Sequence, residues 1–226
     1  MSLLRTIFPS TGLLALAILC LVGCKDEAAA PLNLGHSFAP ITVGSWMEYS
    51  VDSINHNAFT GQVDTFRFQL REVVESEFTD NSGRTSVRIE RYKRSNENTT
   101  WGLTDVYSAT RTQTGYERFE ENTPYLRLSF PPQDGNQWDG NAFNHNGEQD
   151  YEYSFVNLGR TVGAHSFDST ITVIQENNIN LIEIRTAEEH YARNVGLVYK
   201  EIISRDLEED SGIEYFQTIT DWSIAP

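Results

Sequence analysis

The sequence predicts an all-β protein: a single antiparallel curved sheet of about ten or eleven strands, closing into a half-barrel or clam-like barrel, with a β-sandwich as the alternative. Three observations lead there. From about Pro40 onward, apolar residues recur at period two with little at period 3.6. Clusters of Asn, Asp and Gly punctuate those runs, and no low-complexity linker divides them.

The elements follow in chain order. Val43-Gly44-Ser45-Trp46 opens the first strand after a glycine turn. Phe66, Phe68 and Leu70 then alternate with Arg67, Gln69 and Arg71, and Val87 and Ile89 alternate with Arg88 and Glu90. In the second half, Asp134-Gly135-Asn136-Gln137-Trp138 echoes the opening, and Tyr151, Tyr153 and Phe155 alternate with Glu152, Ser154 and Val156. Ile171 with Val173, the run Leu197 to Ile203, and Ile213, Tyr215 and Ile219 complete the series. Each reads as a strand with one wet and one buried face. Parity breaks at Val73-Val74 and Leu181-Ile182 predict bulges or strands buried on both faces. Turns are expected at Asn55-His56-Asn57, 80–83, 96–98, 131–136, 144–147, Glu176-Asn177-Asn178 and 208–212, because Asn and Gly tolerate positive φ and Asx side chains close local turns. The irregular stretch from Asn141 to Gln149 leaves room for a short helix but has no helical periodicity.

The N-terminus is different in kind. Arg5 precedes the apolar run from Leu13 to Val22, which is too short to span a bilayer and fits a secretory signal. Leu21-Val22-Gly23-Cys24 resembles a bacterial lipobox, which implies cleavage before Cys24, a diacylglycerol on its sulfur and an N-acylated amine. The expected organisation is a signal peptide over 1–23, the lipidated Cys24 with a flexible tether over 24–39, and one all-β domain over 40–226. Cleavage removes Cys20, so the only remaining thiol is the modified one and no disulfide is expected. Lys25-Asp26-Glu27 resembles the surface-export signal of Bacteroidota lipoproteins. The expected location is therefore the cell envelope, as an outer-membrane lipoprotein facing the periplasm or the cell surface.

Charge excludes two classes of partner. The 226 residues carry 17 Lys and Arg against 32 Asp and Glu, a net −15. Neutralising phosphates or adhering to anionic headgroups needs a positive field, so nucleic acid is excluded and membrane contact is assigned to the lipid anchor.

Two longer segments carry a further resemblance. The stretch from Ile41 to Ile54, with Val43-Gly44-Ser45-Trp46 at its head, resembles the opening of small Bacteroidota lipoproteins of unassigned function. Tyr191-Ala192-Arg193-Asn194-Val195-Gly196-Leu197-Val198-Tyr199-Lys200-Glu201-Ile202 resembles their closing signature, and the glycine-led segment from Val162 to Val173 sits where that group has a strand. In strand count and style the group is similar to the half-barrel lipoprotein carriers of the Lol system, which implies a concave apolar face for acyl chains. Trp46 departs from the group pattern, falling two residues after Gly44 where the group's tryptophan falls three after, so no binding role is assigned to it.

No linear motif carries catalysis. His36, His56, His145, His165 and His190 are scattered. Thr186-Ala187-Glu188-Glu189-His190 lacks the second histidine of a zinc-protease motif and reads as a wet strand end, so no metal ligand is assigned. The loop Asp134 to Asn141 has oxygen ligands that would suit Ca²⁺ only outside a helix-loop-helix frame. There is no Gly-x-Ser-x-Gly elbow and no Ser-x-x-Lys. Carboxylate pairs such as Glu120-Glu121, Glu188-Glu189 and Glu208-Glu209 read as solvated surface. The aromatics Tyr107, Tyr116, Phe119, Tyr125, Phe130, Tyr151, Tyr153, Phe155, Tyr215 and Phe216 either fill a large core or ring an apolar cavity. The expected function is therefore a non-catalytic binding module with no cofactor, for an apolar ligand or lipid whose binding residues the sequence does not name. A structural subunit that docks on another envelope protein is the alternative, and a secreted hydrolase comes third.

Overall fold

The computed structural model describes residues 33–226. The signal peptide, the lipobox residues Leu21, Val22 and Gly23, the lipidation site Cys24 and the export signal Lys25, Asp26 and Glu27 lie outside the described residues.

Twelve strands form one sheet: β1 (Trp46–Asn57), β2 (Gln62–Thr79), β3 (Thr85–Arg94), β4 (Gly102–Arg111), β5 (Gly115–Glu120), β6 (Thr123–Ser129), β7 (Gln137–Asp139), β8 (Asp150–Val162), β9 (His165–Ile179), β10 (Glu183–Ala192), β11 (Gly196–Asp206) and β12 (Ser211–Ser223). Their order is β6-β5-β4-β3-β2-β1-β12-β11-β10-β9-β8-β7, so every neighbouring pair is consecutive in sequence except β1 with β12. All the ladders are antiparallel. The sheet curls into a nearly closed barrel with one unsealed seam, between β6 and β7. It is one sheet rather than a sandwich, and it exceeds the expected strand count because the three-residue β7 is too short to show a period.

The seam is bridged mainly by side chains. The Leu126 N–H donates to the Gly140 carbonyl at 2.9 Å, and the Trp138 indole N–H donates to the Leu126 carbonyl at 2.9 Å. The Tyr153 hydroxyl donates to the Ser129 carbonyl at 2.8 Å and accepts from the Ser129 N–H at 2.9 Å. Gly140 is required here, because a Cβ would collide with the Tyr151 ring.

Period-two patterning is realised as anticipated in β3 and β9, where Val87, Ile89, Ile171 and Val173 are buried; in β2 Leu70 is buried but Phe66, expected on the same face, is 57% exposed, and Ile213 on β12 is 42% exposed, because the strands run past the core at that end. The ladder slips between Val74 and Ser76, a bulge where Val73-Val74 broke parity. Five further local expectations are corrected. β1 runs through Asn55-His56-Asn57, because pairing with both β2 and β12 holds it extended, and the turn falls after Asn57. β9 likewise runs through Glu176-Asn177-Asn178. Leu181 and Ile182 lie in the following turn and are exposed rather than forming a bulge. Phe155 is 55% exposed, because its positive φ of 54° and the register shift between Ser154 and Leu158 rotate it off the face shared by Tyr151 and Tyr153. Residues 141–149 form turns and bends rather than a helix.

The folded body also begins before Pro40. A single turn of 3-10 helix, His36–Phe38, buries Phe38 and Ala39 in the core, where Arg111 donates to the Ala39 carbonyl at 2.9 Å.

Candidate functional site

The concave face has two chemistries. One apolar cluster gathers Phe38, Val74, Val87, Ile89, Leu128, Phe130, Tyr153, Ile171 and Val173, and a second gathers Met47, Tyr49, Val51, Leu70, Val198 and Ile219. Where they meet, the same face turns ionic around a cavity of about 250 Å³.

The register explains how the charges gather. Glu72 on β2 sits directly opposite Arg91 on β3, Glu189 on β10 opposite Lys200 on β11, and Lys200 opposite Gln217 on β12. On β5, Arg118 and Glu120 share a face with buried Tyr116. A ladder slip opposite Tyr116 and Glu117 leaves Arg127 on β6 without a register partner, and its side chain is buried.

These side chains form a continuous ion-pair chain. Arg118 meets Glu72 through both terminal nitrogens, at 3.1 and 3.2 Å, and its Nε lies 3.0 Å from Glu120. Arg127 bonds Glu120 at 2.8 Å and lies 3.7 Å from Glu189. Glu189 in turn holds Lys200 at 3.0 Å and accepts from the Tyr191 hydroxyl at 2.5 Å. Arg91 lies 3.6 Å from Glu72 and donates to the Tyr107 hydroxyl at 3.0 Å. Arg118 and Arg127 keep only 7% side-chain exposure, whereas Arg91 and Glu120 keep 19% and Lys200 18%, so solvent reaches the chamber on that side.

Burial raises the pKa of a carboxyl and the ion pairs lower it; here the pairs win. Burial pushes Glu189 up, but Lys200, Arg127 and the Tyr191 hydroxyl overturn that and hold it at about 2. Glu120 is likewise pushed up by burial and pulled well below the usual carboxylate range by Arg127, Arg118 and Lys200. Burial would lower Arg118, yet Glu72, Tyr116 and Glu120 keep it well above the usual arginine value. Desolvation is the main cause that lifts Tyr215 to about 12.

Other sequence-level readings are corrected. Glu189 and His190 are not a wet strand end: they are 2% and 4% exposed, in a strand paired on both sides. His190 lies 3.0 Å from Glu188 through Nε2, with its ring 5.0 Å from that of Tyr199. Glu120 is equally no solvated surface acid, since it lies between two arginines. The concave face is not the continuous apolar cavity that the aromatics suggested. Tyr107, Tyr116, Phe130, Tyr151 and Tyr153 are core residues, while Phe119 stands 44% exposed. Around Asp134 to Asn141, the Asp134 carboxylate accepts the Val156 N–H at 2.8 Å and the Asp139 carboxylate accepts those of Asn141 and Gln149 at 2.9 and 3.0 Å, so both carboxylates shape the loop. Among the described residues no three His, Cys, Asp or Glu side chains converge as metal ligands. Trp46 is half-buried beneath the Arg71 guanidinium, 4.6 Å from the ring centre.

A wider cleft of about 710 Å³ lies elsewhere, lined by Phe78, Phe119 and Phe143 with the Ser86 and Thr110 hydroxyls 2.6 Å apart. Its Arg84 is closed into pairs with Asp80 and Glu117, each at 2.8 Å.

The chain matches no protein-family model and no curated protein sequence. Two solved structures are similar in fold. One is a Bacteroides fragilis NCTC 9343 protein described as exported and as having a YmcC-like fold, at 12% identity and a TM-score of 0.46, over 81% of this chain and 97% of that one. The other is a Parabacteroides distasonis ATCC 8503 protein described as a lipoprotein, at 14% identity and a TM-score of 0.40, over 82% of this chain and 98% of that one. Likeness at this level carries no function across.

The chamber residues Glu72, Arg91, Arg118, Arg127 and Lys200 were absent from the sequence-level candidates. A signal was there to be read. Leu70-x-Glu72-x-Val74, Val87-x-Ile89-x-Arg91 and Ala187-x-Glu189-x-Tyr191 each place a charge at the parity of the apolar face.

Proposed function

We propose that the chain is a lipid-anchored protein of the bacterial cell envelope that acts by holding a small polar solute in its barrel chamber, without catalysis. The observation that carries the binding part is the chamber itself: a solvent-reached cavity in which the buried guanidinium groups of Arg118 and Arg127 and their carboxylate partners stand beside Leu197 and Ile202. An acyl chain would desolvate these ionised groups without returning a hydrogen bond, so a polar occupant fits better than the apolar one that the sequence suggested. General acid–base work calls for a group that titrates near the working pH. Glu120 and Glu189 are held ionised and the chamber tyrosines are held protonated, so the groups facing the cavity suit binding.

The anchor rests on Leu21-Val22-Gly23-Cys24 alone. Labelled palmitate fed to a didermal host expressing the full chain should appear on the protein and vanish in Cys24→Ser; equal labelling of both would refute the anchor. For the chamber, thermal melts against neutral sugars, small acids and a fatty acid should show a rise with a polar solute. A rise with the fatty acid alone would return the apolar reading. The cleft at Phe78, Phe119 and Phe143 favours a second reading, docking to an envelope protein, because three half-exposed rings form one patch. A partner captured by the wild type and lost in Phe119→Ser would support it.

A further inference from the structure

We infer that the chamber is a site for one small anion carrying a carboxylate or phosphate group, seated among Arg91, Arg118, Arg127 and Lys200. This rests on the chamber-binding reading and names the charge of its occupant. Four cations face the cavity, and the carboxylates that face them from the same enclosure are Glu72, Glu120 and Glu189. Glu121 reaches the rim, but it stands exposed in the β5–β6 turn, where water screens it. The enclosed charge is therefore one positive in excess, inside a chain whose net charge is −15.

Burying an unmatched charge is costly, and an anion of the right size removes the mismatch. The ion pairs leave donors over: the Nε atoms of Arg91, Arg118 and Arg127 are buried without a hydrogen-bond partner, and a small turn of each guanidinium group would bring them to an anion. For Arg118 the Glu120 carboxylate is close enough to pair, at 3.0 Å, but is not aligned to accept that hydrogen. Arg127 is more than nine-tenths buried, and its hydrogen bonds, to Glu120 at 2.8 Å and to the Tyr151 hydroxyl at 3.4 Å, both use terminal nitrogens. Guanidinium donors in a partly desolvated site are the usual recognition group for planar carboxylates and for phosphates. The volume of about 250 Å³ lies just below the usual range of ligand pockets, which limits the occupant to a small molecule.

Gln217 gives a decisive variant. It is 2% exposed, lines the chamber and lies opposite Lys200 in the ladder. Gln217→Glu keeps the shape and supplies the missing negative charge from within. The full chain is melted at constant ionic strength with sodium acetate, with inorganic phosphate, and with glucose as a neutral solute. A saturable rise in Tm with acetate or phosphate is expected, and whichever acts identifies the anionic group. Gln217→Glu should raise Tm without any solute and weaken that anion at least tenfold. No saturable anion response, an equal response in both proteins, or a lower Tm for Gln217→Glu would each overturn the inference. Stabilisation by glucose alone would overturn the anion and leave chamber binding standing; no response to any of the three would count against both.

Discussion

The apolar clusters and the ionic chamber line the same concave face and are built from the same strands, yet they respond to damage in opposite ways. In the apolar region around Leu128, Ile171 and Val173, each side chain contributes through area removed from water, and truncation costs in proportion to what is lost. Around Glu72, Arg118 and Glu120, removing one partner leaves others charged, buried and unmatched. A sheet that needed only stability would carry the apolar solution all the way round. The ionic stretch therefore marks where this fold gives up easy packing.

The largest expected effect tests that asymmetry directly. Arg118→Met removes the shared partner of Glu72 and Glu120 and should cost about 3–5 kcal/mol in urea unfolding. The Leu128→Ala control in the apolar cluster should cost about 2–5 kcal/mol. The two separate in the second step: adding Glu72→Leu to Arg118→Met should recover part of the loss, because an apolar pair replaces the broken ionic one while Arg91 and Glu120 each remain one partner short. Failure of the double variant to recover would show that the chamber does not behave as coupled ion pairs.

Acid sharpens the same contrast. Glu189 is held at about 2 against an ordinary value of 4.5, so its folded pKa is depressed. A depressed carboxyl contributes stability that is fully present above the unfolded value and is lost as pH falls through the folded one. Converted at 1.36 kcal/mol per unit, the loss between pH 4.5 and about 2 is on the order of 3 kcal/mol. Glu120 adds in the same direction. In a wild-type protein the Tm should fall steeply over that window, and Glu189→Gln should flatten the slope at the expense of stability at neutral pH. An unchanged slope would place the acid sensitivity elsewhere.

The difference between the regions also explains what the sequence could disclose. Alternation in Leu70, Val87, Ile89, Ile171 and Val173 was legible, because a buried aliphatic has one reading. Glu189 was legible only through the parity of its neighbours Ala187 and Tyr191, because in Glu188-Glu189 one carboxylate faces out at 36% side-chain exposure and the other in at 3%, and the pair by itself carries no parity. Nor could the pairing of β6 with the far end of the chain's sheet be read, since the Ser129 to Tyr153 contact depends on the curvature of the whole sheet and not on any local pattern. Arg127 reaches the chamber through a register slip, and a slip in a seven-residue strand leaves no trace in periodicity.

A smaller effect is expected where the sheet fails to close. Tyr153→Phe keeps the ring beside Trp138, 4.4 Å between centres, and deletes the hydroxyl that serves both the N–H and the carbonyl of Ser129. Two backbone groups lose a partner, at a cost of about 1–3 kcal/mol. Faster amide exchange should be confined to Ser129 and its neighbours on β6, with β1 and β12 unaffected because those strands are paired on both sides. If exchange rises equally through β1 and β12, the seam is not a separable weak line and the barrel opens as one unit.

The smallest effect belongs to a pair that looks as good on paper as those in the chamber. Arg67 and Asp52 meet at 3.0 Å on adjacent strands, the same separation as Lys200 and Glu189, yet their side chains are 77% and 52% exposed. Water screens both charges in either state, and holding a long side chain in place costs entropy, so the contact contributes little net free energy. Asp52→Asn should leave the urea midpoint unchanged at physiological salt, while Glu189→Gln shifts it. Because distance is the same in both pairs, a comparable shift for the two variants would mean that burial does not set the strength of the chamber's ion pairs.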